Sequence, residues 1–199
     1  MQTATSKTRP LSSKKLTTKD IVLTGMFAAI LTVISQISIP MPTGVPITIQ
    51  VFGVALVGSV LGWKLGLFTT FVYILIGAVG LPVFSNFQGG VGILAGLTGG
   101  YIIGWLFLAG LSGIRHSGAS KTMNTAKAII LSLIGLAAVE IIGGLQWSFL
   151  SGGSMTVSAV FTYSMVAFVP KDIVITIAAV LIGQQIRKPL SAAGYIGRY

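Results

Sequence analysis

The chain has 199 residues, of which 53% are hydrophobic and only 8% charged, whereas soluble domains carry about 25% charged residues. Its net charge of +10 does not indicate nucleic acid, because the basic residues lie in short segments beside apolar blocks, as in membrane orientation signals. With no cysteine, one histidine and three acidic residues, the chain cannot assemble a Ser-His-Asp triad, a Cys-His pair or a metal cluster. We therefore expect no enzyme activity, no metal and no cofactor.

Long uncharged blocks run through the chain, at 21–39, 47–61 and 65–85. Apolar stretches of about 17–25 residues are typical of membrane-spanning helices, since hydrocarbon offers the backbone no hydrogen-bond partners and a helix satisfies its own. The alternating ten-residue segments of a membrane β-barrel are absent. The sequence therefore predicts an all-α, polytopic helical membrane protein.

The predicted elements lie in a transmembrane domain at 21–186, between a basic N-terminal segment at 1–20 and a basic C-terminal tail at 187–199. Proline removes a backbone donor and marks loops, yet it is favoured at the first helical position, which starts the last helix at Pro170. In chain order we predict a helix at 21–39, a loop at 40–46, two short helices within 47–80 that turn at 62–64, helices at 92–113 and 128–150, a short outer segment at 156–169 and a helix at 170–186.

The positive charges predict the orientation. Every Lys and Arg except Lys171 lies in the N-terminal segment, the turn at 62–64, the loop at 114–127 or the C-terminal tail. By the positive-inside rule these four segments are cytoplasmic. The expected architecture is a six-helix transmembrane bundle with both termini in the cytoplasm, and the one histidine, His116, is expected to be a solvated loop residue.

Small residues recur at intervals of four on two predicted helices, a spacing that lets helix backbones approach closely. We expect the longer series, on the helix at 92–113, to pack inside the bundle. For the pair on the first helix, internal packing and contact with a partner subunit both remain open. The series comprises Gly92, Gly96, Gly100 and Gly104, and the pair comprises Gly25 and Ala29.

Ionisable residues within apolar helices are costly and indicate a functional site by default. Lys171 and Asp172 stand together at the predicted outer start of the last helix, and Glu140 lies on the helix at 128–150. Alternatively, Lys171 serves only to neutralise Asp172 or Glu140. Trp147 fits either a binding pocket or an anchor at the membrane interface, and Asn86 fits either a site or a turn.

An outer cavity with these groups suits a small amphipathic acid. Lys171 is able to neutralise a carboxylate of the ligand, while Asp172 and Asn86 are able to accept hydrogen bonds from ligand N–H groups. The residues alone define this class of ligand and no further.

Four stretches, in this order and spacing, carry a family resemblance over about 16–186. They are Ile39-Pro40-Met41-Pro42 with Val45-Pro46-Ile47-Thr48-Ile49-Gln50, then Gly77-Ala78-Val79-Gly80-Leu81-Pro82-Val83-Phe84, then Gly89-Gly90-Val91-Gly92 with Thr98-Gly99-Gly100-Tyr101, and finally Val169-Pro170 with Asp172. With them the chain resembles the BioY family, the biotin-specific substrate-binding subunits of energy-coupling-factor vitamin transporters.

The resemblance implies a bacterial, multi-pass protein of the cell membrane that binds biotin near its outer face as the transported ligand. It also implies coupling to a membrane scaffold subunit, contacted through Gly25 and Ala29, and to two ATPase subunits. The chain itself lacks the Gly-x-x-x-x-Gly-Lys-Ser/Thr phosphate loop. The loops after the first and third helices would cover the ligand, with these residues near the site: Asn86, Gly90, Gly92, Gln50 and Asp172.

The chain departs from the family pattern at three positions. Leu97 stands where proline is usual, and Lys171 stands where glycine is usual. Ile175 stands where the family usually has a lysine, so that Lys171 either replaces that lysine from an adjacent position or has a different role.

Two further classes of function remain open. One is a binding subunit for another small vitamin, against which the loop motifs argue. The other is a channel or self-sufficient secondary transporter, which is disfavoured because no paired half-repeats with interrupted helices are evident. A membrane enzyme is the least compatible with the residue inventory.

Overall fold

The computed structural model describes residues 16–115 and 120–197. The sequence expectations for residues 1–15, for His116 and for Arg198 lie outside the described residues. In chain order the elements are α1 (Thr18–Ser35), β1 (Ser38–Ile39), β2 (Ile47–Thr48), α2 (Gln50–Leu61), α3 (Trp63–Ala78), a 3₁₀ turn (Ser85–Phe87), α4 (Val91–Leu94), α5 (Gly99–Ser112), α6 (Lys121–Leu150), α7 (Val157–Ala167) and α8 (Val169–Ala192).

Three of these helices are long and apolar enough to cross a membrane by length and composition, namely α1, α6 and α8. Four shorter apolar helices accompany them in the described part of the chain: α2, α3, α5 and α7. The protein is therefore a mostly helical membrane protein, as its composition predicts.

Helix α2 is the centre of the bundle, because every one of its residues except Phe52 is buried. It packs against α1, α3, α5 and α8. At its end the chain turns at Gly62, with a φ of 87°, which confirms the turn predicted at 62–64. Arg115 and Arg187 donate hydrogen bonds to the last carbonyls of α2, those of Ser59 and Val60, so that backbone acceptors at a buried helix end have partners.

The first departure from the predicted elements is a small β-hairpin in the loop after α1. Strands β1 and β2 pair antiparallel, with Ser38 opposite Thr48 and Ile39 opposite Ile47. Consequently α1 ends at Ser35 rather than at residue 39. The predicted loop at 40–46 is correct and forms the tip of this hairpin.

The second departure is a break in the helix predicted at 92–113. The structure has the short α4, then a turn, then α5 from Gly99. The side chain of Gln146 on α6 explains the break, since its Nε2 donates to Leu94 O at 3.0 Å and to Gly96 O at 2.8 Å. Carbonyls released from the helix therefore have partners inside the protein.

Helix ends account for the remaining corrections. Helix α6 begins at Lys121 rather than at 128, because Ser120 caps it by accepting a hydrogen bond from Met123 N–H. The prediction placed the start after Lys127, which marks the edge of the apolar block and not the start of the helix. Helix α8 continues to Ala192, beyond 186. The outer segment predicted at 156–169 is α7, capped by Thr156.

Candidate functional site

A cavity lies between α2, α5, α6 and α8, beneath the loops that follow α1 and α3. The space between its walls, including the part open to solvent, is about 590 Å³. The wall is mainly apolar and aromatic, with Phe84, Tyr101, Trp105 and Phe168. Its polar side chains include Thr48, Gln50, Glu140, Lys171 and Asp172.

Lys171 and Asp172 form an ion pair in the first turn of α8, with Lys171 Nζ 2.5 Å from Asp172 Oδ1. The same ammonium group donates to Thr48 O at 2.6 Å, which ties β2 to α8. An ammonium group has three donors, so one remains for a ligand. Asp172 is buried, with 4% of its surface exposed, and it lies at the positive end of the α8 dipole, where a carboxylate is stabilised.

Gln50 lines the cavity from the first turn of α2 and is buried. Its Nε2 donates to Tyr73 OH at 3.5 Å, and Tyr73 OH in turn donates to Val83 O at 2.6 Å. This chain of hydrogen bonds connects the cavity wall to the start of the loop after α3.

The two loops predicted to cover the ligand are held together by polar side chains near the end of α1. Ser35 Oγ lies 2.6 Å from Val83 O. Gln36 donates to Phe84 O at 3.1 Å and accepts from Phe87 N–H at 2.9 Å. Sequence reasoning missed Ser35 and Gln36, because each contacts a residue about fifty positions away.

Asn86 lies on the outside of the same loop. It is exposed, does not line the cavity, and accepts a hydrogen bond from Ser38 Oγ at 2.9 Å. Its φ of 56° is left-handed, a conformation that asparagine tolerates better than most residues. The geometry therefore gives Asn86 a part in joining the loops, and direct contact with a ligand stays a prediction.

Gly90 and Gly92 follow in the segment that leads to α4. Gly90 has a φ of 99° and donates its N–H to Gly77 O at 2.7 Å. Gly92 is exposed, with no described residue within 4 Å of a Cβ built on it, so the expected internal packing of the glycine series is wrong for this member. Neither lines the cavity, although the adjacent Ile93 does.

Trp147 is 1% exposed and stands in a buried aromatic cluster. Its ring centroid lies 5.7 Å from that of Tyr163 and 6.3 Å from that of Phe168. Of the two roles left open by the sequence, an interface anchor does not fit this burial. Trp147 instead supports the cavity from behind, through Phe168, which lines it.

Tyr101 and Trp105, on one face of α5, and Phe84 line the cavity without having been predicted as site residues. Tyr101 and Phe84 belong to the motifs quoted above, so the motifs contained a signal for them. Trp105 had none, because aromatic residues are ordinary in apolar helices.

The pair Gly25 and Ala29 lies on an exposed face of α1. No described residue lies within 4 Å of a Cβ built on Gly25. Internal packing, one of the two alternatives for this pair, therefore does not account for Gly25 within residues 16–115 and 120–197.

Apolar helices around an amphipathic cavity with an ion pair in its wall define a membrane protein that binds a small ligand. The BioY family model matches residues 6–192, and the chain belongs to the BioY family. This is a family of transport proteins and not of enzymes.

Individual relatives agree. The chain is 33% identical to the biotin transporter BioY of Rhizobium etli, over 86% of this chain and 94% of that one. It is 36% identical to the probable biotin transporter BioY of Pyrococcus horikoshii, over 85% of this chain and 96% of that one. Among solved structures, the S-component for biotin from an ECF-type ABC transporter is similar with a TM-score of 0.74 and 26% identity, covering 87% of this chain and 95% of that chain.

Proposed function

We propose that this protein captures biotin as the substrate-specificity subunit, or S component, of an ATP-driven energy-coupling-factor transporter. The observation that carries the proposal is the amphipathic cavity itself, which holds the half-buried Lys171 paired with the buried Asp172 at one wall and aromatic rings around them. Biotin has an anionic tail, an apolar middle and a ureido ring with two N–H donors. It therefore needs a cation, an apolar or aromatic wall and hydrogen-bond acceptors, respectively.

In the proposed pose the biotin carboxylate meets Lys171, whose ammonium retains one donor beyond its bonds to Thr48 and Asp172. Asp172 accepts from the ureido ring, since one of its oxygens is not used by Lys171. Gln50 lines the same space, and Trp147 fixes the aromatic wall through Phe168. Asn86, Gly90 and Gly92 shape the covering loop.

Six spans with both termini in the cytoplasm remain the topology that we favour. Support comes from the arginines at the end of α2, because the bonds from Arg115 and Arg187 gather the loop after α5 and the end of α8 at one end of the bundle. Lys171 lies at the other end, at the start of α8. In a bacterium the protein would lie in the cell membrane, with a scaffold subunit at Gly25 and Ala29 and two ATPase subunits below it. A single cysteine at position 121 should resist labelling from outside intact cells.

Calorimetry on the detergent-purified chain tests the proposal. Biotin should bind, whereas thiamin and riboflavin should not. Preferential binding of another vitamin would show that this vitamin, and not biotin, is the substrate. Ion-driven uptake by the chain alone in liposomes would favour a secondary transporter.

The role of Lys171 is tested with biotin amide, which lacks the anionic tail. The wild type should prefer biotin to the amide, and Lys171→Ala should lose most of that preference. Equal affinities of the wild type for both ligands would remove Lys171 from the site.

A further inference from the structure

Glu140 is a buried carboxyl group, one oxygen of which has no hydrogen-bond partner in the described part of the chain. It lies on α6 with 7% of its surface exposed, and its Oε2 has no partner among residues 16–115 and 120–197. Most buried side-chain polar atoms are hydrogen-bonded, so each exception needs an explanation. Because Glu140 lines the cavity, the missing partner is to be sought there.

The other charged and titratable groups at the cavity already have partners. Lys171 is bonded to Asp172 and to Thr48 O, and Tyr101 OH lies 3.4 Å from Ser164 Oγ. Among the described residues, the one salt bridge at this site therefore leaves Glu140 out. The alternative that Glu140 pairs with Lys171 for structure alone does not hold in this arrangement.

Glu140 lies near the aromatic cluster that forms where α7 folds back along α6. This fold brings Phe168 against Trp147 and Tyr101, with ring centroids 6.3 Å apart in both pairs. Asp172 lies one helical turn beyond Phe168 on α8, and Glu140 lies one turn before the α6 segment on which the Tyr101 ring packs. The two acidic side chains thus line the cavity from two different helices, both next to the aromatic cluster.

We propose that Glu140 accepts a hydrogen bond from a ring N–H of the ligand, so that the ureido ring of biotin is held between Glu140 on α6 and Asp172 on α8. The two N–H groups of a cyclic urea lie on opposite sides of its carbonyl, and two acceptors on separate helices match them. Asn86 is exposed and already bonded to Ser38, so Glu140 supplies the second acceptor. This inference rests on the proposed biotin-binding function.

The experiment compares biotin with two derivatives, each methylated on one ureido nitrogen, for the wild type and for Glu140→Met. Methionine keeps an unbranched side chain of similar length but lacks a carboxylate acceptor. Biotin affinity should fall about 5- to 150-fold, as for a buried hydrogen bond that loses its partner. The preference for biotin over one of the two derivatives should fall to near one, while the preference over the other should persist.

Two further variants keep the result interpretable. Thr176→Val is the matched control, because Thr176 is another buried side chain whose oxygen has no partner in the described part of the chain, and it does not line the cavity; its biotin affinity should match the wild type. Glu140→Gln retains an amide oxygen as acceptor and should fall between the wild type and Glu140→Met. It also provides the test if Glu140→Met does not fold, since its preference over the same derivative should already be reduced.

The inference would be overturned if Glu140→Met or Glu140→Gln prefers biotin over both derivatives as strongly as the wild type does and binds biotin within about twofold of the wild-type affinity. That result would leave the proposed function intact. A wild-type protein that does not bind biotin would overturn both.

Discussion

Two pairs of small residues with the same spacing have opposite surroundings in this protein. On α5, Gly100 and Gly104 are buried against α6, and a Cβ at Gly104 would lie 2.6 Å from Val139 Cα. On α1, Gly25 and Ala29 are exposed, and no described residue lies within 4 Å of a Cβ at Gly25. Close approach of helix backbones explains the first pair, but within the described chain nothing packs on Gly25.

The comparison separates two tasks. The α5–α6 contact holds the wall that carries Tyr101 and Glu140, so binding depends on the interior. The face of α1 touches no part of the cavity, so its small residues are available for a partner. Changes in the interior should therefore alter binding or stability, and changes on the α1 face should alter coupling alone.

The largest expected effect is that of Asp172→Ala on biotin affinity. Removing one member of a desolvated, hydrogen-bonded charge pair costs about 2–5 kcal/mol, or about 30- to 4,000-fold in Kd. Calorimetry with biotin measures it. Thr176→Val, one turn further along α8, is the control and should bind normally. If Asp172→Ala binds biotin with near-normal affinity, the role of Asp172 is only that of a structural ion pair with Lys171, without ligand contact.

Gly104→Val should reduce stability by about 1–3 kcal/mol, because the new side chain overlaps the α6 backbone at Val139. The thermal unfolding midpoint in detergent is the measurement, with Gly25→Val on the exposed face of α1 as its control. An unchanged midpoint in Gly104→Val would mean that α5 and α6 can move apart at no cost, and the distinction between the two pairs would fail.

A smaller effect is expected where the two covering loops meet. Asn86→Gly removes the hydrogen bond from Ser38 Oγ while glycine keeps the left-handed backbone available. Loss of one such bond costs about 0.5–1.5 kcal/mol, so biotin affinity should fall about 2- to 13-fold, measured by the dissociation rate. Ser38→Ala should give a similar change, and the double variant should add little to either. Full additivity would show that the two side chains act separately.

Local signals in the sequence were sufficient for the features that depend on local chemistry. The turn at Gly62 and the start of α8 beside Pro170 follow from local residues. The break before α5 does not, because it depends on Gln146, about fifty residues away. The two-residue strands around the hairpin tip are also too short to show a periodicity of two.

The site divides in the same way. Lys171 and Asp172 were predictable because charged residues are rare in apolar helices. Trp105 was not predictable, because the sequence around an aromatic residue in an apolar helix does not show which way the residue faces. Trp105 is 5% exposed, whereas Phe107, two residues further on, is 51% exposed. The spacing of Gly25 and Ala29 likewise did not decide between internal packing and a partner. Burial, which arises from the whole bundle, separates an internally packed face from an exposed one, and the partner contact at Gly25 and Ala29 stays a prediction.

The smallest expected effect on binding is that of Gly25→Trp and Ala29→Trp, and it is the sharpest test of the comparison. A large side chain on the exposed face of α1 meets no internal neighbour at Gly25, so the purified subunit should fold and bind biotin with a Kd within about twofold of the wild type. The same side chain should prevent close approach of a scaffold helix, so co-purification with the scaffold and ATPase subunits, and biotin uptake by cells, should be lost. Gly104→Trp is the contrasting variant, since it should destabilise the isolated subunit itself, so that coupling cannot be tested in it. Normal assembly and uptake in both α1 variants would show that the partner binds elsewhere, whereas lost biotin binding would show that this face supports the fold after all.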